Sequence, residues 1–392
     1  MPNCDVTAAD RERVGNQEKQ VMIVVGEASG DAHGAGFVEA LLKRIPTLKV
    51  FGVAGEQLQR TKFEALFSVS KIAGMGLVEL ASNGANIWRA YRLLRRTLVE
   101  RRPNLLVLID FPDFNLRLAK LAKGLGIPVL YYISPQVWAW RRGRIRQIAR
   151  WVDQMAVVFP FEVSFYQNRG VKVTFVGHPL LDTVRAIDSR EEVLGRLGLD
   201  PHRPAVAILP GSRHKEVAYH LPVLLDAVHQ LRRERGIQSF CVRASTVSRE
   251  QLESMALASQ FKIPIVEERR YDAIRAADLV WTASGTATVE TALLLKPMII
   301  VYRLSWLTYC LARLLVKVDH VGMVNLIAAE RVVPELIQSG FTAEAVVSET
   351  RTLLDNARVR EAMIAKLAKL KEKLGAPGAA ERVADLAVAM LS

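Results

Sequence analysis

Three short segments of the chain hold residue types that can do chemistry together. The first is Ser284-Gly285-Thr286, which breaks an apolar run ending at Ala283 and leads into helix-patterned sequence through Leu295. A strand, a small-residue turn and a helix start, in that order, offer free amide N–H groups and a partial positive charge, and glycine lets a ligand approach the backbone. Such a turn suits a phosphate or pyrophosphate. Glu290 follows within the helix, where a carboxylate could accept hydrogen bonds from a ribose diol. The plainer reading is a Ser or Thr cap and an ordinary helix glutamate. The second segment, Gly211-Ser212-Arg213, comes after the apolar strand Ala205–Leu209 and before a helix, and Arg213 offers a planar fork for a phosphate. The third is Asp110, directly after the apolar run Leu105–Ile109, with Asp113 close behind. Carboxylates at the carboxyl end of a parallel strand open into the crevice where α/β sheets do their chemistry. Asp110 is the better placed general base and Asp113 the second, although either could simply cap a helix starting near Asn115.

These segments need two α/β sheets to carry them. Val21–Val25, Lys49–Val53, Leu105–Ile109, Val129–Ile133, Met155–Phe159 and Val173–Val176 read as buried parallel strands alternating with helices. The turn after the first, Gly26-Glu27-Ala28-Ser29-Gly30-Asp31, precedes a helix from about His33 to Arg44. Its glycines do not make the dinucleotide fingerprint, and no well-placed acid follows the second strand, so a nicotinamide enzyme is disfavoured. Gly177-His178-Pro179 reads as a chain break, with His178 a hinge residue rather than a catalyst. The same grammar restarts at Ala205 and continues through Phe240–Ala244, Pro264–Val266 and Met298–Arg303. Gly322–Ile327 then reads as a loop whose single amide, Asn325, could reach a ligand. The expected division is a loose tail over 1–20, a first Rossmann-like domain over 21–178 and a second over 179–355. Helices over 356–392 are expected to pack back on the first domain.

Composition narrows the class. With 392 residues, half of them hydrophobic and 24% charged, the chain can fill two cores. A formal charge of +13 points to an anionic partner: nucleic acid, acidic lipid or a phosphorylated substrate. The three cysteines, Cys4, Cys241 and Cys310, lack metal spacing and argue for a reducing compartment and against a zinc site. The polar start is no secretory signal. No apolar run is long enough to span a bilayer, although the protein could lie against one. After the apolar stretch Gly74-Met75-Gly76-Leu77-Val78, a helix places Ile87, Tyr91, Leu94 and Leu98 on one side and Arg89, Arg92 and Arg96 on the other, with Trp88 beside them. It is either an ordinary helix with a solvated basic face or an amphipathic segment on acidic lipid. Trp138 and Trp140, beside Gln136 and a cluster of arginines, could stack on nucleic acid, hold a sugar ring and lipid, or pack as a core pair. No nucleic-acid module is matched.

Five motifs, in order and at the expected separations, carry a resemblance. They are Gly26–Asp31, Asp110–Asn115, Ser134-Pro135-Gln136-Val137-Trp138-Ala139-Trp140, Leu209–Arg213 and Ala283–Ala287. Together they resemble the lipid-A-disaccharide synthase family over roughly residues 21 to 385. The resemblance implies an inverting glycosyltransferase of GT-B architecture, two Rossmann-like doubly wound domains facing across a cleft. It implies transfer from UDP-2,3-diacylglucosamine to 2,3-diacylglucosamine 1-phosphate, giving a β-1,6-linked disaccharide 1-phosphate and UDP. The expected place is the cytoplasmic side of the inner membrane, held peripherally on acidic lipid, with no cofactor, no active-site metal and no nucleic-acid partner. Oligomeric state stays open, a homodimer included. Carried over residue by residue, Asp110 is the catalytic residue, with Arg213 also important for activity. Gly211, Ser212, Arg213, Ser284, Gly285, Thr286, Glu290 and Asn325 form the UDP-sugar side. Glu27, Ser29, Gly30, Asp31, Asp113, Gln136 and Trp138 form the acceptor side. Met75, Leu77, Trp88, Arg89, Arg92 and Arg96 are the expected membrane contacts. His214-Lys215 and Gly322-Met323-Val324 depart from the family pattern and bear on substrate detail, not on reaction class. The rivals are a UDP-N-acetylglucosamine 2-epimerase or the peptidoglycan transferase in the same architecture, and a basic RNA-binding protein.

Overall fold

The computed structural model describes residues 18–72, 80–135, 137, 142–259, 262–306, 309 and 320–392. The chain forms two compact units. One holds the described residues up to Pro179 together with Pro377–Ser392; the other is Leu180–Ala376.

The first unit is a seven-stranded, all-parallel sheet in the order β3-β2-β1-β4-β5-β6-β7. Its strands are β1 Gln20–Val25, β2 Lys49–Ala54, β3 Phe63–Ser68, β4 Leu105–Ile109, β5 Val129–Tyr132, β6 Gln154–Val157 and β7 Val173–Phe175. β1, β4 and β5 are buried apolar runs because helices cover both faces of a parallel sheet. β3 was not legible: Phe63-Glu64-Ala65-Leu66-Phe67-Ser68 is a half-exposed edge strand without a continuous apolar signal. Chain order reverses between β1 and β4, which pair from Val21↔Leu105 to Val25↔Ile109. Loops leaving neighbouring strands diverge at such a switch point and open a crevice.

The helix after β1 begins at Ala28 rather than near His33, and it runs to Arg44. Gly30 and Gly34 make the early start workable. A side chain at Gly34 would already press on Leu58 and Val25 at 3.2 and 3.3 Å, so the small residues let the helix lie close on the sheet. The expected group of C-terminal helices is divided. Ala357–Lys373 packs in the second unit, on Thr286–Leu293 and Ala343–Asp355. Only the last helix, Ala379–Leu391, belongs to the first unit, where it packs on Ala28–Arg44. Arg44 joins that contact through ion pairs to Glu381 and to Asp385, the latter at 2.7 Å.

The second unit is a six-stranded parallel sheet in the order β10-β9-β8-β11-β12-β13. The strands are β8 Ala205–Leu209, β9 Gln238–Val242, β10 Ile265–Val266, β11 Leu279–Ala283, β12 Met298–Tyr302 and β13 Glu335–Ile337. Its core centres on Trp281, fully buried, whose indole N–H donates to Thr350 Oγ1 at 3.0 Å and so ties β11 to the helix Ala343–Asp355. Here the order reverses between β8 and β11. Among the described residues, no helix is long and apolar enough to cross a membrane.

Asp31, expected at the acceptor side, has a structural task. Its buried carboxylate accepts the amides of Gly55 at 2.7 Å, Gln57 at 2.8 Å and Leu58 at 3.3 Å, capping the short helix Glu56–Gln59 from a distant part of the chain. Asp31→Ala leaves three amides without their acceptor. It should lower the unfolding free energy by about 1–3 kcal/mol in urea titrations, with no change in UDP affinity.

Candidate active site

Both switch points carry the residues singled out for chemistry. In the first unit, Asp110 follows β4 and Glu27 follows β1. Asp110 and Phe111 both take left-handed backbone angles, φ 54° and 52°, at a cost of roughly 1–2 kcal/mol each for a residue other than glycine. Hydrogen bonds to one carbonyl hold this turn. Tyr131 donates its hydroxyl to the Asp110 carbonyl at 2.6 Å, and Asn115 Nδ2 donates to the same oxygen at 2.7 Å. The turn also needs bare backbone opposite it, since a Cβ at Gly26 would sit 2.1 Å from the Phe111 Cβ. Among the described residues the Asp110 carboxylate accepts only the Phe111 amide, at 2.9 Å. It therefore caps nothing: the next helix begins at Pro112, not Asn115, and no side chain caps it. Crowding by the protein, and then the nearby Glu27 carboxylate, push the Asp110 pKa up to about 6. A carboxylate near the end of its titration at neutral pH is suited to take a proton.

The other residues expected on the acceptor side fare differently. Glu27 and Ser29 are exposed at the start of the helix Ala28–Arg44, and Gly30 is buried against Ile109. Asp113 lies in the first turn of its helix and pairs with Arg144, which ranks it below Asp110 as a base. Gln136 and Trp138 lie outside the described residues, as do Met75 and Leu77. On the helix Leu80–Arg101, Leu94 and Leu98 are buried, Ile87 and Tyr91 half-buried, and Arg89, Arg92 and Arg96 exposed. Trp88 is 58% exposed, with the Arg92 guanidinium 4.5 Å above its ring, and Arg96 pairs with Glu100 at 2.6 Å. His178 is buried against Phe159, and burial holds its pKa down to about 3.

In the second unit the turns after β8 and β11 sit side by side, because Thr282 and Leu209 are register partners. Gly211 and Gly285 have φ of +135° and +140°, angles open to glycine and strained for any other residue. Gly285 is the N-cap of the helix Thr286–Leu293 and brings no side chain to cap it. The reading of Ser284 as a cap fails, since its hydroxyl donates to the Val321 carbonyl at 2.9 Å. Among the described residues the amides of Thr286 and Ala287 have no acceptor and are left for an anion, whereas the Thr288 amide donates to the Gly285 carbonyl at 3.1 Å. At the neighbouring turn the Ser212 amide is already taken by Glu216 Oε2 at 3.2 Å. Arg213 gives one guanidinium N–H to Glu216 Oε1 at 3.1 Å and is otherwise largely exposed, so its side chain, not the turn's backbone, is the group to meet a phosphate.

Glu290 is buried, and both carboxylate oxygens are engaged: Arg270 donates at 2.5 Å and the Tyr271 hydroxyl at 3.1 Å. Each oxygen keeps a second lone pair, so a diol would share Glu290 with these partners. Asn325 corrects the sequence reading outright. It lies buried in a helix, Met323–Ala328, and not on a loop. Its amide is spent on the Val332 and Val333 amides, the Val333 carbonyl and Glu335, all within 2.7–3.0 Å. Asn325 therefore shapes the site without reaching into it. Sequence reasoning also missed His220. It donates from Nδ1 to the Pro210 carbonyl at 2.7 Å and accepts the Arg303 amide at Nε2, 2.9 Å, a tautomer fixed by its two backbone partners. It pins the 210 turn to the end of β12. Its one sequence signal is position, one helical turn beyond Glu216 on the buried face of His214–Arg235.

Comparison with known proteins completes the picture. The family model described as lipid-A-disaccharide synthetase matches residues 21–385. This chain belongs to that family. The lipid-A-disaccharide synthase of Geobacter sulfurreducens is 46% identical over 377 residues, which cover 96% of this chain and 98% of that protein. Among solved structures, the S. aureus MnaA–UDP co-structure shares a TM-score of 0.64 at 12% identity, covering 93% of this chain and 94% of that one. CalG4, the calicheamicin glycosyltransferase, shares 0.60 at 13%, covering 96% and 98%. The structural likenesses show the fold, two Rossmann-like units of GT-B type, and the family gives the class, a glycosyltransferase of lipid A biosynthesis. The epimerase, peptidoglycan and RNA-binding alternatives are not favoured.

The Asp110 carboxyl makes a signed prediction for this synthetase-family enzyme. Its folded pKa, about 6, lies above its ordinary 3.8, so the folded protein holds the extra proton between those values and loses stability as pH rises through them. Asp110→Asn should therefore be more stable than the parent by about 1–2 kcal/mol at pH 7.5, with the gain gone by pH 3.5, measured by urea unfolding at both pH values.

Proposed function

We propose that the chain catalyses inverting, metal-independent transfer of 2,3-diacylglucosamine from UDP to the 6-hydroxyl of 2,3-diacylglucosamine 1-phosphate. The products are the β-1,6-linked disaccharide 1-phosphate and UDP. Family membership over nearly the whole chain is the observation that carries this reading, with the candidate residues at both switch points in support. Asp110 takes the hydroxyl proton as the acceptor oxygen attacks the anomeric carbon from the face opposite UDP. The bond from that carbon to the diphosphate breaks, and both electrons leave with UDP. Arg213 and the open amides at Thr286 and Ala287 receive the charge that grows on the diphosphate. Glu290 holds the ribose. One carboxylate suffices because a single displacement needs one base.

The reading also includes a place of work. Both sugars carry acyl chains, so the enzyme meets them at a lipid surface. The exposed Arg89, Arg92 and Arg96, with Trp88 among them, suit an acidic one: basic groups are drawn to the surface charge and an indole settles among headgroups.

Asp110→Asn should lower turnover at least about a thousandfold while UDP affinity stays within about twofold, read by mass spectrometry of the disaccharide product and by calorimetry. Turnover near that of the parent removes Asp110 from the base role. Replacing Arg89, Arg92 and Arg96 together by Ser should cut co-sedimentation with acidic liposomes severalfold at unchanged thermal midpoint. Equal sedimentation returns that face to ordinary solvation.

A further inference from the structure

The second unit holds a carboxylate that neither composition nor motif singles out. Glu335, the first residue of β13, pairs in register with Ile300 of β12. Its side chain turns back to the segment before the helix Met323–Ala328. Oε2 accepts the Val321 amide at 3.0 Å, and Oε1 accepts the Gly322 amide at 3.0 Å and Asn325 Nδ2 at 2.7 Å. Among the described residues each of these contacts is an N–H donor to the carboxylate, and none is a cation. The packing is close there, because a Cβ at Gly322 would come within 2.3 Å of Ile300 Cδ1 and 3.0 Å of Glu335 Oε1. The held segment then accepts the Ser284 hydroxyl through the Val321 carbonyl at 2.9 Å. Ser284 opens the turn whose amides face the diphosphate in the reading above.

We infer that Glu335 is a positioning residue of the donor site, bracing Val321–Gly322 so that this segment fixes the Ser284–Thr286 turn through the Ser284 hydroxyl. The inference rests on the proposed UDP site. It assigns Ser284 an indirect role: its hydroxyl proton goes to the protein, and the amides of its turn meet the ligand. It also gives Asn325 a task compatible with complete burial, as a third donor to Glu335. A free turn would lose amide alignment on binding a dianion, and a braced one is aligned beforehand.

The test uses the full-length enzyme and UDP as probe. Glu335→Gln keeps shape but sets an NH2 against an amide N–H, and it should weaken UDP about tenfold. The donor KM should rise correspondingly and kcat change by less than about threefold. Ser284→Ala, at a surface-accessible hydroxyl, should weaken UDP severalfold without affecting folding. The double variant should bind no more weakly than Glu335→Gln alone, since both cut one linkage. UDP affinity equal to the parent in a folded Glu335→Gln, or in Ser284→Ala should Glu335→Gln fail to fold, overturns the brace. So do effects that multiply in the double variant, which a carboxylate serving only to hold β13 would also give. A parent enzyme that fails to bind UDP overturns the donor site itself, a result distinct from a variant that binds it normally.

Discussion

A parallel sheet whose strand order reverses leaves two adjacent strands with loops turning opposite ways, and the candidate residues Asp110, Arg213 and the Ser284–Thr286 turn stand at such reversals. β1 and β4 provide one, β8 and β11 the other. The pairing is set by backbone hydrogen bonds between buried apolar strands, so the spacing of the emerging loops is fixed by the sheet and not by the loops themselves. Gly26 and Phe111 approach closely because their strands must be neighbours. For the same reason the 211 and 285 turns lie together.

The two reversals are equipped for different electrical tasks. At the first, a carboxylate is crowded, sees a second carboxylate, and is thereby made more basic. At the second, carboxylates are spent internally, Glu216 on its own turn and Glu290 on Arg270 and Tyr271, and what remains outward is an arginine and unmet amides. A group that removes a proton is best left short of partners. A site that receives an anion is best served by dipoles already held in place. Glu216, which is buried, accepts the Ser212 amide, and the half-buried Glu335 accepts the Val321 and Gly322 amides.

Much of this could be read from the chain. Leu105–Ile109 and Ala205–Leu209 are found as expected, because parallel strands buried on both faces leave unbroken apolar runs. The glycine turns were legible for the same reason: they end those runs. What escaped depends on residues distant in sequence. Edge strands β3 and β13 have too little apolar content to announce themselves. Met323–Ala328 is too short to show a period, so Asn325 reads as loop. Asp31 looks like part of a ligand turn until Gly55 and Gln57 are seen donating to it. The left-handed angles of Asp110 and Phe111 have no sequence signal, since their support comes from Tyr131, a residue of the next strand.

The last helix has a bearing on how the molecule is made. Ala379–Leu391 belongs to the unit that begins at the other end of the chain, and its closing carbonyl, at Leu391, takes the Lys19 ammonium at 2.6 Å. The first sheet can assemble while the ribosome is still working, but its covering remains unfinished until the second unit has been synthesised in between. Until that helix is made, the face of Ala28–Arg44 on which it packs lacks its cover. A stop codon a few residues early would injure the part of the enzyme translated first.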